Sequence, residues 1–347
     1  IVRMHEPQNL EMPASGFAHA VTPTEQFFVR SHFAAPAVDP ATFKLVVEGH
    51  VENRLELTLA EVGQLAKAEQ TLTVECAGNG RVYLVPQARG LQWANGGVGT
   101  AVWSGTPLGA VLDRARPRAG AAEVVLFGAD RGAITADPAS PGPIHFARSL
   151  PLAKARKDEV ILADGMNGGP LTRGHGTPLR AVVGGWFGCA SVKWLNRIVV
   201  TDHPYRGFWQ TMDYSLYARG PAGEPETVAL TEMQPKAVVA TPGPQEAVPA
   251  GRPVRLGGAA WAGESKVAKV EVSVDGGATW QPARLAAEPK PFQWVLWSFD
   301  WTPAARGPAR LLARCTDAAG ATQPPTRDPD RRSYVINHLV PVEVIVR

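Results

Sequence analysis

Thr71-Leu-Thr-Val-Glu-Cys-Ala-Gly-Asn-Gly-Arg81 is the stretch that decides how this chain folds and what it holds. Thr71–Glu75 combine β-branched and apolar residues as a strand does, and that strand runs straight into a Gly-Asn-Gly turn. Glycine permits backbone conformations and close approaches that ligand-binding turns need. A cysteine at such a junction places an exposed side chain where backbone amides and a ligand can meet, with Arg81 close by to favour a thiolate. Alone, Cys76 would read as a small buried hydrophobe. Its position argues instead for the soft ligand of a redox-active transition metal.

Working outward, Phe43-Lys-Leu-Val-Val-Glu-Gly49 reads as a strand ending at a glycine, and Thr58-Leu-Ala-Glu61 fits a capping box opening a short amphipathic helix. Residues 1–35 carry little periodic signal. Thr106 before Pro107 predicts an N-cap and first-turn proline for a helix through Leu112. Glu123-Val-Val-Leu-Phe127 predicts a strand that ends at Gly128-Ala-Asp130. From Pro235 a Pro-, Gly- and Ala-punctuated linker leads into short strands. Val270–Val274 alternates, Asp275-Gly276 signals a hairpin, Thr279-Trp280 begins the return strand, and Phe292–Trp301 and Ala309–Thr316 follow. The expected architecture is α+β over residues 1–235, followed over residues 236–347 by an antiparallel sandwich of immunoglobulin type that has no Cys-Trp-Cys framework.

A chain of 347 residues with 45% hydrophobic content can bury more than one core. A formal charge of +3 with scattered basic residues argues against a nucleic-acid partner. No apolar run approaches the roughly 20 residues of a spanning helix, so a membrane partner is not expected. Cys76, Cys189 and Cys315 are odd in number and far apart, which suggests neither a disulfide framework nor a zinc finger, and no C-x-x-C-H motif marks a covalent haem on this chain. The first residue is Ile, so compartment is judged without sight of a targeting peptide.

Three further segments carry donor side chains on glycine-rich loops: Phe27-Phe-Val-Arg-Ser-His32, His175-Gly-Thr-Pro-Leu-Arg180 and Ser191-Val-Lys-Trp194. Each alone could be an ordinary strand or turn whose Arg or Lys reaches solvent. Together they supply the donor types that hold a phosphate and a polar heterocycle, with Arg suited to bidentate recognition of an oxyanion.

With Glu75–Arg81, Phe28–His32, Met166-Asn-Gly168, His175–Arg180 and Ser191-Val-Lys-Trp-Leu195 in this order and spacing, the chain resembles the sulfite oxidase family over essentially its whole length. The resemblance implies a molybdopterin domain followed by a sandwich used for homodimerisation. It implies Cys76 as the molybdenum ligand and pterin contacts from His32, Asp130, His175, Arg180, Ser191 and Lys193. Arg30 and Arg81 match the arginines of a substrate anion pocket, Tyr214 the active-site tyrosine, and Trp93 a possible pocket wall. The implied reaction oxidises sulfite to sulfate by oxo transfer at molybdenum, with electrons leaving to an external acceptor such as a c-type cytochrome. Bacterial members are commonly periplasmic, with the cytoplasm as the alternative.

Two segments depart from the family pattern, Leu162-Ala-Asp-Gly-Met-Asn-Gly168 and Val183-Gly-Gly-Trp186. They predict altered loops without removing a proposed ligand. A late-chain arginine that some members add to the substrate pocket is not assignable by motif. Sulfoxide reductases of this cofactor class lack the sandwich, and nitrate reductases carry fused haem and flavin modules. A sulfane-sulfur dehydrogenase subunit and, from another class, an exported non-catalytic binding protein are the alternatives.

Overall fold

A computed structural model describes residues 1–347. Strands dominate, and the helices are short. Two five-stranded sheets dominate the first part of the chain. In one, Ala68–Glu75, Val98–Pro107, Val160–Met166 and Gly169–Pro170 lie side by side, with Arg180–Val183 also pairing Val160–Met166, all antiparallel. In the other the order is Leu55–Leu57, Leu45–Gly49, Leu195–Thr201, Glu123–Gly132 and Ile144–Pro151, the second and third running parallel. Residues 236–346 form a sandwich of a four-stranded and a five-stranded sheet. No helix is long and apolar enough to cross a membrane.

The capping box forms as expected. Thr58 Oγ1 accepts from Glu61 N at 3.2 Å, Glu61 Oε2 accepts from Thr58 N at 2.8 Å, and the helix runs Leu59–Leu65. Thr106 does not cap the next helix, Leu108–Ala115, whose N-cap position is Pro107. Its hydroxyl donates instead to Val62 O and Ala66 O (3.0 and 3.1 Å), carbonyls that the end of the first helix leaves without intrahelical partners. The strand from Glu123 does not stop at Gly128. It passes through a register shift between Phe127 and Arg131 and continues to Gly132.

The sandwich departs from the expectation of wholly antiparallel pairing, because Ala247–Val248 runs parallel to Val342–Val346. Its hairpin after Ser273 is also wider than a two-residue turn. Gly276 and Gly277 both take left-handed φ (73° and 101°), and Asp275 accepts from Ser273 Oγ at 2.6 Å and Thr279 N at 2.9 Å. Pairing therefore resumes only at Val272↔Gln281, and the return strand is just Gln281–Pro282.

Sandwich residues Val238, Trp261, Trp294, Tyr334 and Val335 share one hydrophobic core with the first sheets, while Leu256, Val270, Leu311 and Val344 form the sandwich's own. Polar groups cross the seam too. Lys154 Nζ lies 2.7 Å from both Glu159 and Glu264, and Trp186 Nε1 donates to Glu264 Oε1 at 2.9 Å. Within Val183-Gly-Gly-Trp186 it is Gly185, not the departing Gly184, that makes this contact possible. Gly185 has φ +82°, and a Cβ there would lie 2.5 Å from Glu264 Cγ. In the other departing segment, Asn167 takes a left-handed φ of 52° and bonds Val102 N, Thr22 O and Thr24 Oγ1. That turn anchors the segment leading into Phe27–His32.

Candidate active site

Cys76 leaves the end of its strand with its N–H donating to Gly97 O at 2.7 Å and its carbonyl accepting from Asn79 N at 2.8 Å. Its side chain is not exposed to solvent as the sequence suggested: it is buried and faces an internal cavity. Burial pushes the thiol above its ordinary value, opposed by the positive charges of Arg30 and Arg81. Gly78 lets the Arg81 guanidinium lie close against this turn, since a Cβ there would stand 2.3 Å from Arg81 Nη2.

The cavity has two chambers. The inner one brings together every expected pterin contact: His32, Asp130, His175, Arg180, Ser191 and Lys193. Arg30, Cys76, His32 and Tyr214 also border the outer chamber, whose wall includes Arg81. Trp93 borders neither. It is fully buried behind the cavity, 6.3 Å from the Phe28 ring, so the pocket-wall expectation is corrected.

Charge in the inner chamber is unbalanced: Arg30, Arg180 and Lys193 face a single carboxylate, Asp130. Arg180 donates to three backbone carbonyls, those of Ala181, His175 and Ser191 (3.3, 3.1 and 3.1 Å), and stacks 4.9 Å over Trp103. Lys193 Nζ donates to Ser31 Oγ at 2.7 Å and Gly174 O at 2.8 Å. Burial lowers Lys193 well below its usual range and Arg180 to about 9, and raises Asp130 to about 7. The register shift after Phe127 lets Asp130 line the chamber, and Gly128 leaves room for it, because a Cβ there would lie 2.3 Å from Asp130 Oδ1. His175 is held neutral, lowered to about 4 by burial and then by Arg180 and Lys193. Its Nδ1 pairs with Thr172 Oγ1 at 2.8 Å, while its buried Nε2 has no partner in the chain. Ser191 contributes less directly, its hydroxyl accepting from Val183 N at 3.1 Å.

Tyr214 ends the π-helical turn Trp209–Asp213. Its hydroxyl lies 2.8 Å from His32 Nε2, and burial raises it far above the ordinary phenol value. His32 is kept neutral by burial, then by Arg30 and Lys193, and stacks 4.6 Å from Phe146. The turn is pinned by Arg148, which donates to Trp209 O, Tyr214 O and Leu230 O (2.6, 3.2 and 2.5 Å).

On the outer wall Arg81 donates from Nε to Ser333 O at 3.2 Å and from Nη1 to Leu91 O at 2.9 Å, leaving Nη2 without a protein acceptor. Its guanidinium lies 5.4 Å from the Tyr334 ring, whose hydroxyl donates to Asp213 Oδ1 at 2.5 Å. Sequence reasoning missed Ser31, Arg148, Asp213, Arg332 and Tyr334. Ser31 sits inside a quoted motif and was within reach. Arg332 offers a candidate for the unassigned late-chain arginine, since it lines the outer chamber while Nη1 donates to Met212 O and Ser215 O.

Residues 32–209 match the profile of the oxidoreductase molybdopterin binding domain and residues 227–340 that of the Mo-co oxidoreductase dimerisation domain. The chain is 35% identical to chicken (Gallus gallus) sulfite oxidase over 93% of its own length and 72% of that protein's, and 33% identical to rat (Rattus norvegicus) mitochondrial sulfite oxidase over 99% and 65%. It thus spans about two thirds of the length of these relatives. The crystal structure of the sulfane dehydrogenase SoxCD from Paracoccus pantotrophus superposes with a TM-score of 0.81 at 27% identity, over 95% of this chain and 82% of that one. Two oxidoreductase matches leave no support for a non-catalytic binding protein. A cysteine at the junction of two chambers, one rich in uncompensated cations, is thus found in a chain that belongs to the sulfite oxidase family of molybdopterin oxidoreductases.

Proposed function

We propose that this protein oxidises sulfite to sulfate at a molybdenum–molybdopterin centre bound through Cys76 and passes the electrons to an external acceptor such as a c-type cytochrome. The observation that carries the reading is the pairing of a buried thiol with a cation-rich inner chamber on one side and an arginine-lined outer chamber on the other. The inner chamber fits the cofactor on its own chemistry. His175 Nε2 is a buried polar atom awaiting a partner, and the excess of cations over carboxylates suits a phosphate. The chain gathers no cluster of three or more His, Cys, Asp or Glu, so Cys76 would bind a metal brought by the cofactor.

When bound, the cofactor supplies the transferable oxo group and takes up two electrons. Arg180 and Lys193 would hold its anionic group, and Asp130 and His175 would meet its polar ring. In the outer chamber, Arg30 and Arg81 neutralise and orient the sulfite dianion. Tyr214 holds a hydrogen bond at the junction of the chambers, and its partner His32, being neutral, adds no charge there.

Metal analysis of the purified holoprotein is expected to give one molybdenum per chain, and sulfite is expected to drive reduction of cytochrome c or ferricyanide. Molybdenum without sulfite turnover, but with turnover of a sulfane-sulfur donor, selects the second reading, which the similarity to SoxCD favours. Absence of molybdenum from protein expressed with cofactor supply rejects both. We further propose that residues from about 236 onward join two copies, as the dimerisation-domain match supports. Light scattering at micromolar concentration should return the mass of two chains, and a one-chain mass overturns this.

A further inference from the structure

Glu75, the residue before Cys76, is a buried carboxylate with both oxygens engaged. Oε1 accepts from Asn79 Nδ2 and from Lys236 Nζ, each at 3.0 Å, and Oε2 accepts from Trp261 Nε1 at 2.9 Å. Lys236 and Trp261 come from the sandwich, where they sit opposite one another on paired strands. Lys236 Nζ also donates to Asn79 O at 3.0 Å, and Asn79 Oδ1 accepts from Gly97 N at 2.9 Å. Gly97 is the residue whose carbonyl receives the Cys76 N–H. The Cys76 turn is therefore clamped from two sides, by Gly97 within the first domain and by an ammonium and an indole from the second.

Stability alone does not explain this arrangement. A buried ion pair is costly to desolvate, and well-packed apolar residues of the same volume often serve stability as well or better. What the pair does is chemical: it cancels a negative charge one residue from the sulfur and fixes the strand end that aims it.

We propose that Lys236 and Trp261 are positioning residues for the Cys76 thiolate, which makes the sandwich a working part of the metal centre as well as a dimerisation module. The proposal rests on the reading of Cys76 as metal ligand. Removing Lys236 takes the counter-charge from a buried carboxylate beside the thiolate, while the Asn79 and Trp261 hydrogen bonds that favour its ionised form remain. The added negative charge favours the oxidised metal, so its midpoint potential falls.

The test uses holoprotein variants with molybdenum and pterin content measured separately. Lys236→Met should shift the thiolate-to-metal absorption band, lower the midpoint potential and reduce kcat ~10-fold or more, the range of losses on removing groups that orient metal ligands. KM for sulfite should stay within about 2-fold of the parent, because no substrate contact is removed. The double variant Glu75→Gln with Lys236→Met removes both charges while keeping an acceptor for Trp261, and should recover the band and potential toward the parent. If Lys236→Met fails to fold, Trp261→Phe decides, since it deletes the bond to Oε2, with part of a buried ring, but leaves the Glu75–Lys236 pair in place, and should still move the band. A folded, loaded Lys236→Met or Trp261→Phe protein with the parental band, potential and kcat overturns the proposal. Cys76→Ser separates the two readings: a band that survives there removes the ligand assignment itself, whereas a band lost there but unmoved by Lys236→Met removes only the positioning role.

Discussion

Replacing Cys76 with serine should give a protein that folds, retains pterin and has lost sulfite turnover by ~10³-fold or more, equivalent to about 4 kcal/mol of activation free energy. The structure separates the two roles this residue could have. Its backbone is what closes the turn, through Gly97 O and Asn79 N, and serine keeps both bonds. The change at the sulfur is nearly isosteric, so the cost to folding should be about 1 kcal/mol, a shift of a few degrees in Tm for a chain of this size. The anchors of the inner chamber, Arg180, Lys193 and His175, are untouched. What disappears is the soft anionic donor, exchanged for a hard hydroxyl that ionises poorly. Thiolate-to-metal absorption should go with it. Folded Cys76→Ser protein that turns sulfite over at near-parental rate, assayed with ferricyanide or cytochrome c, would mean that the cysteine is only a buried hydrophobe.

Features encoded within a few residues of one another were legible in the sequence. The Thr58–Glu61 capping box needs one turn of chain, and both of its bonds form. The strand-to-glycine junction at Cys76 is equally local, and the named donors at Arg30, His32, His175, Arg180 and Lys193 do converge on one cavity. Competition between distant groups was not legible. Thr106 carried a good N-cap signature, yet its hydroxyl serves the carbonyls at the end of another helix, and nothing near position 106 reveals that those carbonyls need it. Asp130 reads as loop because the bulge that lets its strand continue leaves no periodic trace. Arg332 and Tyr334 lie on an irregular connection between sandwich strands, and they meet the outer chamber only because the two domains share a core. The Glu75–Lys236 pair spans 161 residues and two domains.

Arg81→Gln should raise KM for sulfite by about 10- to 150-fold, the factor that matches loss of a charge-assisted hydrogen bond worth roughly 1.5–3 kcal/mol. Molybdenum and pterin content should be unchanged, since Arg81 lies on the outer wall and borders no part of the inner chamber. The geometry adds a second effect that the sequence did not foresee. Nε and Nη1 tie Ser333 of the sandwich to Leu91 of the first domain, and the guanidinium stacks near Tyr334, so the side chain is also a link across the seam. A glutamine is too short to keep both bonds, and a Tm lower by a few degrees should accompany the affinity loss. Arg81→Lys separates the two contributions. A lysine restores the positive charge without the planar fork, so part of the sulfite affinity should return while the Ser333 and Leu91 bonds stay broken. Recovery of affinity with no recovery of Tm assigns the kinetic effect to the anion and the thermal one to the seam. An unchanged KM in folded Arg81→Gln protein rejects a role in sulfite binding and leaves Arg81 as a purely structural cross-link between domains.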